Sequence, residues 1–242
     1  MTTAGDPGAA AQERSAESSP DGSAVNGPAA GDAAVEAAAF GVDPVPTGNT
    51  YDKYGSENPL VRRLMANFRS TLDELWREAS PESVLDVGCG EGVLTHEWAM
   101  RLGERRIVGI DLDDPKLREE WARRQCANLE YRAEDATSLS FADGEFDMAT
   151  AIEVLEHVPE PEATVAEMAR VAQRWLLVSV PREPLWRGLN LARGAYVRDL
   201  GNTPGHVNHW SKRSFARLLS RHGEVVEARS PLPWTMLLVR VG

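Results

Sequence analysis

Glu153, Glu156 and His157 set three ionisable side chains within five positions of the stretch ATAIEVLEHVPEP. Where a strand ends near Ile152 and the chain then turns helically, residues at i, i+3 and i+4 face one point. Two chemistries suit such a group. His157 can take a proton from an acceptor hydroxyl as a general base. Alternatively, Glu153, Glu156 and His157 ligate a divalent cation, which lowers a hydroxyl's pKa and orients it. Mixed carboxylate and imidazole donors suit Mg²⁺, Mn²⁺ or Zn²⁺. That set needs a further ligand, and PGHVNHWS offers His206 and His209. Gly205 permits a sharp loop just before His206, which is therefore preferred. A plainer reading has Glu153 supporting a cofactor, Glu156 solvated and His157 packed before Pro159.

A second group surrounds glycines. LDVGCGEG places Gly88, Gly90 and Gly92 at the end of an apolar run, with Asp86 just before them and Cys89 as a small spacer. Such a loop turns sharply and lets a ligand lie against bare backbone. Its spacing is G-x-G-x-G, and Val93 stands where a dinucleotide fingerprint wants glycine or alanine. Asp111, ending VGID, can accept both ribose hydroxyls of a nucleoside, whether of a dinucleotide or of S-adenosylmethionine. In AEDATSLSF, Asp135 can receive an adenine amino group, and the backbone amide of Ala136 can meet a ring nitrogen.

These groups meet only if the intervening chain brings them together. Leu60, Leu64, Phe68, Leu72, Leu75 and Trp76 recur at helical spacing, predicting a helix from Pro59 to about residue 80. Strands are expected at 83–88, 106–111, 129–133, 146–153 and 174–180, with helices at about 92–102, 115–126 and 161–172. Strands alternating with helices imply right-handed crossovers and a parallel sheet. EVVEARS and WTMLLVRV read as two further strands whose hairpin adds an antiparallel edge. The expected fold is thus α/β, a doubly wound, mostly parallel seven-stranded sheet with an antiparallel C-terminal edge. Ligands of such sheets bind beyond the carboxyl ends of the strands, where strand order reverses. Residues 182–210 are longer than a connection needs and read as a lid insertion. Within it Leu185, Trp186, Leu189, Ala192, Tyr196, Val197 and Leu200 fall at helical spacing opposite Arg187, Asn190 and Arg198, giving an apolar face to cover an acceptor. Tyr51 or Tyr54 is expected to close over a cofactor, and Arg62 or Arg63 to meet its carboxylate.

With four motifs in order at successive strand ends, the chain resembles the class I S-adenosylmethionine-dependent methyltransferases. VLDVGCGEG matches their glycine motif, GIDLD the ribose acid, AEDATSLSF the adenine contact and FDMATAIEVLEHVPEP the fourth-strand motif, over roughly residues 50 to 240. The resemblance implies S-adenosylmethionine as cofactor, Asp86 near its methionine amino group and Leu112 packed on its adenine. Gly88, Cys89, Gly90, Asp111, Asp135, Ala136 and Glu153 complete the implied site. E-x-x-E-H with a later histidine is similar to metal-dependent O-methyltransferases, notably the ubiquinone-biosynthesis type. This implies a catalytic His157 and a cation held by Glu153, Glu156, His157 and His206. The implied reaction is O-methylation of a small or lipid-like acceptor. N- or C-methylation, methylation of small RNA and non-catalytic cofactor binding are the rivals, with an NAD-dependent oxidoreductase further off.

Composition narrows these. A hydrophobic fraction of 42% suits a globular chain, and 242 residues suit one large domain. No apolar run is long enough to span a bilayer, and two cysteines, Cys89 and Cys126, make no disulfide framework, so a cytoplasmic location is expected. Of the net charge of −11, residues 1–45 carry −6. That Ala-, Gly- and Pro-rich stretch is expected to be a disordered acidic tail, with residues 46–242 forming the domain. The mildly acidic body argues against nucleic acid as a partner. A Trp flanked by arginines in the lid suits a shallow membrane contact.

Overall fold

The computed structural model describes residues 58–192, 194 and 196–242. The acidic tail and the expected closure by Tyr51 or Tyr54 lie outside the described residues. The first helix, α1 (Pro59–Ala79), starts where the Asn58 side chain accepts the Leu60 N–H at 2.9 Å and Pro59 takes the first position. It ends where Ser80 turns left-handed and Pro81 bars continuation. Phe68, Leu72, Leu75 and Trp76 bury its sheet-facing stripe, whereas Leu60 in the first turn is 65% exposed.

Strands β1 (Val84–Val87), β2 (Ile107–Asp111) and β3 (Leu129–Ala133) alternate with helices α2 (Val93–Leu102) and α3 (Pro115–Arg123). Strand β4 (Phe146–Ile152), helix α4 (Pro161–Val171) and strand β5 (Ala172–Pro181) continue the alternation. After the insertion expected to act as a lid come α6 (Lys212–Leu219), β6 (Glu224–Arg229) and β7 (Trp234–Arg240), the insertion holding α5 (Leu185–Ala192) and a 3₁₀ turn at Val197–Asp199. The seven strands are ordered β3-β2-β1-β4-β5-β7-β6. Strands β1 to β5 pair in parallel, and β7 is antiparallel to both β5 and β6. The hairpin therefore folds inward, its second strand next to β5. Burial explains the choice. WTMLLVR is buried along all but its last residue, whereas EVVEAR has exposed charged ends and suits an edge.

Side chains alternate across the sheet and feed two apolar layers. Val84, Ile107, Met148, Leu177 and Leu238 pack with α1 and with Trp98 of α2. Leu85, Val108, Ala149, Leu176 and Val178 pack with Val165 and Met168 of α4 and Phe215 of α6. Strand order reverses between β1 and β4, which opens a crevice above their carboxyl ends.

The lid departs from expectation. Its helix stops at Ala192, and Tyr196 and Leu200 are left-handed, at φ 52° and 50°. Val197 and Leu200 are exposed rather than facing inward. Asn190, expected on the polar face, is buried, and its amide donates to the Gly201 carbonyl at 2.8 Å and the Thr203 hydroxyl at 3.2 Å. One buried amide thus ties the returning chain to α5.

Candidate functional site

The loop after β1 is three left-handed glycines, with Gly88, Gly90 and Gly92 at φ 72°, 55° and 75°. Each is needed for a different reason. A Cβ on Gly88 would lie 2.5 Å from Val154, and one on Gly92 would lie 2.4 Å from the Tyr131 hydroxyl. A Cβ on Gly90 would meet nothing within 4 Å, so bare backbone faces open space there. Neighbouring elements hold the loop. Gly88 and Cys89 donate to the Ile110 carbonyl at 2.8 and 2.9 Å, and the Trp121 indole donates to the Gly90 carbonyl at 2.7 Å. Burial pushes the Cys89 thiol well up, which disfavours the reactive thiolate.

Asp111, at the end of β2, accepts the Gly90 N–H on Oδ2 at 2.7 Å and the Leu112 N–H on Oδ1 at 2.8 Å. Burial raises its carboxyl above the usual range, and these two amides oppose the rise. Leu112 is half-exposed on the rim beside it. After β3, Asp135 Oδ1 accepts both the N–H and the hydroxyl of Thr137, bonds that hold its carboxyl low. Asp135 and Ala136 line a cavity of about 920 Å³ that also takes in Asp86, Gly88, Gly90, Asp111 and Leu112.

Asp86 lies beneath the loop, almost fully buried. Thr95 of α2 donates to its Oδ2 at 2.6 Å and Thr150 of β4 to its Oδ1 at 2.7 Å. Burial pushes its carboxyl up to about 6, against the pull of those hydroxyls. Because the native state holds this proton more tightly than the unfolded chain, stability falls as pH rises from about 4 to about 6, then levels. Asp86→Asn, isosteric and uncharged, is expected to add about 1–3 kcal/mol at pH 7.5 and nothing at pH 4. Thermal melts should show a rise of several degrees at the higher pH only. A variant that melts lower at pH 7.5 would overturn the assignment.

The turn after β4 differs from the helical geometry its spacing implied. Glu153 is left-handed, at φ 62°, a strained state for a residue with a Cβ. That twist turns its side chain toward β5 and β7. Its Oε1 accepts the Ser179 hydroxyl at 3.0 Å and its Oε2 the Trp234 indole N–H at 2.6 Å. Glu153 therefore stands outside the expected metal-ligand group. Glu156, His157 and His206 do converge, one ligand atom from each lying within 4.8 Å of the others. Glu156 and His206 are buried, and the two imidazoles sit edge to face with centroids 4.8 Å apart. His157 Nδ1 lies 3.0 Å from the Gly205 carbonyl, which can only accept. Nδ1 therefore carries a proton, which leaves Nε2 as the lone-pair nitrogen whenever the ring is neutral. His209 is exposed and pairs with Asn202 instead.

Beyond His206 an aromatic wall continues the cavity. Trp186 stacks on His206 at 6.0 Å and lies 5.8 Å from Trp234, which meets Phe68 at 4.8 Å. Leu60, Leu64 and Met65 of α1 and Leu189 and Tyr196 of the lid complete that side. Arg62 and Arg63 are exposed and are not among the described lining residues. Thr95, Thr150, Ser179 and Trp234 escaped sequence reasoning. Each is an ordinary strand or helix residue whose partner is fixed by strand register or, for Thr95, by how α2 sits after the glycine loop.

A family model described as "Methyltransferase domain" matches residues 85–174. Among curated proteins, the ubiquinone biosynthesis O-methyltransferase of Hahella chejuensis is 39% identical over 106 residues, 42% of this chain and 43% of that one. That of Methylococcus capsulatus is 40% identical over 92 residues, 37% of this chain and 38% of that one. The matches thus span under half the length of those relatives. Among solved structures, a magnesium protoporphyrin IX methyltransferase from Synechocystis, with SAH bound, superposes with a TM-score of 0.59 at 19% identity, over 78% of this chain and 90% of that one. A putative methyltransferase from Bacillus halodurans gives 0.52 at 26%, over 66% and 71%.

Proposed function

We propose that this chain, built on the class I methyltransferase fold, is an S-adenosylmethionine-dependent methyltransferase acting on a hydroxyl of a small or lipid-like acceptor. The observation that carries the reading is one continuous cavity with two chemically distinct halves. At one end are the open backbone of Gly90 and three strand-end aspartates; at the other are paired histidines against an aromatic wall.

The first half fits the cofactor. Asp111 would take the ribose hydroxyls, its carboxylate having lone pairs beyond those used by Gly90 and Leu112. Asp135 and the Ala136 amide would meet the adenine, with Leu112 over its face. Buried Asp86 would draw the methionine amino group toward the loop. Glu153, braced by Ser179 and Trp234, walls that end. When bound, the cofactor supplies an electrophilic methyl group on sulfur and leaves as a neutral thioether. The protein's own work is then alignment and proton removal.

In the second half, His157 Nε2 would accept the acceptor's hydroxyl proton, its orientation fixed by Gly205. Glu156, His157 and His206 would also suit a divalent cation such as Mg²⁺, Mn²⁺ or Zn²⁺, which would supply Lewis acidity to the same hydroxyl. The aromatic wall and the apolar turn of α1 favour an acceptor with a planar or greasy body. Leu189, Leu191, Val197 and Leu200 are exposed along the lid beside Arg187 and Arg198, which suits shallow contact with a membrane that delivers such a molecule. No helix of the described residues is long and apolar enough to cross one.

Titrating S-adenosylmethionine into the full chain should give saturable heat and raise the melting temperature. NAD should do neither. A chain indifferent to S-adenosylmethionine would remove the reading, and labelled-methyl screening over phenols, catechols and aliphatic alcohols then names the acceptor.

A further inference from the structure

Glu156 and His157 sit fifty residues from His206, and none of the three lies in a helix or strand. Something else must hold the two segments in register. The backbone amides of Val207 and Asn208 both donate to the Glu156 carbonyl, at 2.8 and 3.1 Å. The Asn208 side chain completes the grip, its Nδ2 donating to the Leu155 carbonyl at 3.0 Å and the Val158 carbonyl at 2.6 Å. Three carbonyls of one turn are thus held by one residue and its neighbour. In return the Gly205 carbonyl meets His157 Nδ1 at 3.0 Å.

We propose that Asn208 is a positioning residue that makes His157 and His206 a single site; this rests on the reading of that pair as the acceptor-activating end of the cavity. The chemistry is particular to the side chain. One nitrogen must offer two N–H groups to carbonyls on either side of His157 at the reach of a single methylene. Serine has one donor, aspartate none, and glutamine is too long. By fixing the 205–208 loop against the turn, Asn208 keeps the Gly205 carbonyl opposite Nδ1. The lone pair of His157 therefore stays on Nε2. Asn208 touches neither reactant in this scheme.

The test compares Asn208→Asp and Asn208→Ala with the unaltered full chain. Long-range ¹H–¹⁵N spectra of the histidine rings should show His157 as the Nδ1–H tautomer in the unaltered chain. In both variants a mixture of tautomers is expected, more so for aspartate, which sets an anion against two carbonyls. S-adenosylmethionine affinity by calorimetry should stay within about twofold, since the glycine loop is untouched. Variants that keep a pure Nδ1–H tautomer overturn the proposal. Should Asn208→Asp fail to fold, Asn208→Ser retains one donor and gives the same readings. An unaltered chain that binds no S-adenosylmethionine removes the methyltransferase reading instead, while the tautomer comparison still decides the role of Asn208.

Discussion

Replacing His157 with alanine is expected to slow methyl transfer by about 10²–10⁴-fold, the usual loss for a general base, with S-adenosylmethionine affinity nearly unchanged. The two effects separate because the groups are separate. In the proposed reading the cofactor end would rest on Asp111 at β2, the loop after β1 and Asp135 after β3, whereas His157 stands beyond β4 with its Nδ1 on the Gly205 carbonyl. Alanine removes Nε2 and leaves the glycine loop its own hydrogen bonds. The pH–rate profile should also lose the limb that rises as the imidazole deprotonates. If a cation shares the work, chelation of the unaltered enzyme should reproduce part of the loss, because the same ring is one of three donors within 4.8 Å. Chelation without effect would leave His157 as a base acting alone. Turnover within about threefold of the unaltered chain would deny His157 any catalytic part.

What the sequence disclosed about this site follows a physical rule. Motifs whose residues lie within one loop were legible, because local spacing determines their geometry. The glycine turn, Asp111 at a strand end and Asp135 in its own turn are of this kind. Contacts made across strands were not. Thr150 reaches Asp86 because β4 pairs with β1 in a register that sets Asp86 opposite Thr150. Trp234 reaches Glu153 because β7 folds inward beside β5, setting Trp234 opposite Pro181. Neither register shows in composition or periodicity. Glu153 is not grouped with Glu156 and His157 as its spacing implied, for a related reason. Spacing of i, i+3 and i+4 gathers side chains only in a helix, and one left-handed residue at the head of the turn breaks that rule. In the 182–210 insertion, apolar periodicity overshot because it took no account of Gly194, which is left-handed at φ 72° and turns the chain just after Ala192. The order of elements was robust to these misses, since alternating apolar segments of these lengths allow few ways to cover both faces of a parallel sheet.

The second large effect is expected at Asp111. Asp111→Ala should weaken S-adenosylmethionine binding by at least about 100-fold, raising its KM while leaving kcat at saturation within about threefold. The carboxylate has two tasks in one place. It tethers the loop through the Gly90 N–H at 2.7 Å, and in the proposed reading it would also accept from the ribose. Hydrogen bonds to a charged group contribute about 1.5–3 kcal/mol each, so losing the tether and one ribose bond suffices for the stated factor. Asp111→Asn separates the tasks. It keeps one oxygen, but its Nδ2 must face either the Gly90 or the Leu112 N–H, donor against donor, so the loop should loosen even though a ribose acceptor remains. Its affinity should therefore fall between the unaltered chain and Asp111→Ala. The pH dependence carries an independent sign. Burial raises the Asp111 carboxyl, so as pH falls it takes a proton earlier than an ordinary aspartate, and cofactor affinity should weaken with it. Asp86, pushed up to about 6, should steepen that decline, because a protonated carboxyl no longer draws the methionine amino group. Asp111→Ala should bind weakly with a shallower pH slope, since only the Asp86 component survives. Binding to Asp111→Ala within about twofold of the unaltered chain would mean that the ribose is held elsewhere, and the strand-end aspartates would then have to be read as supports for the loop alone.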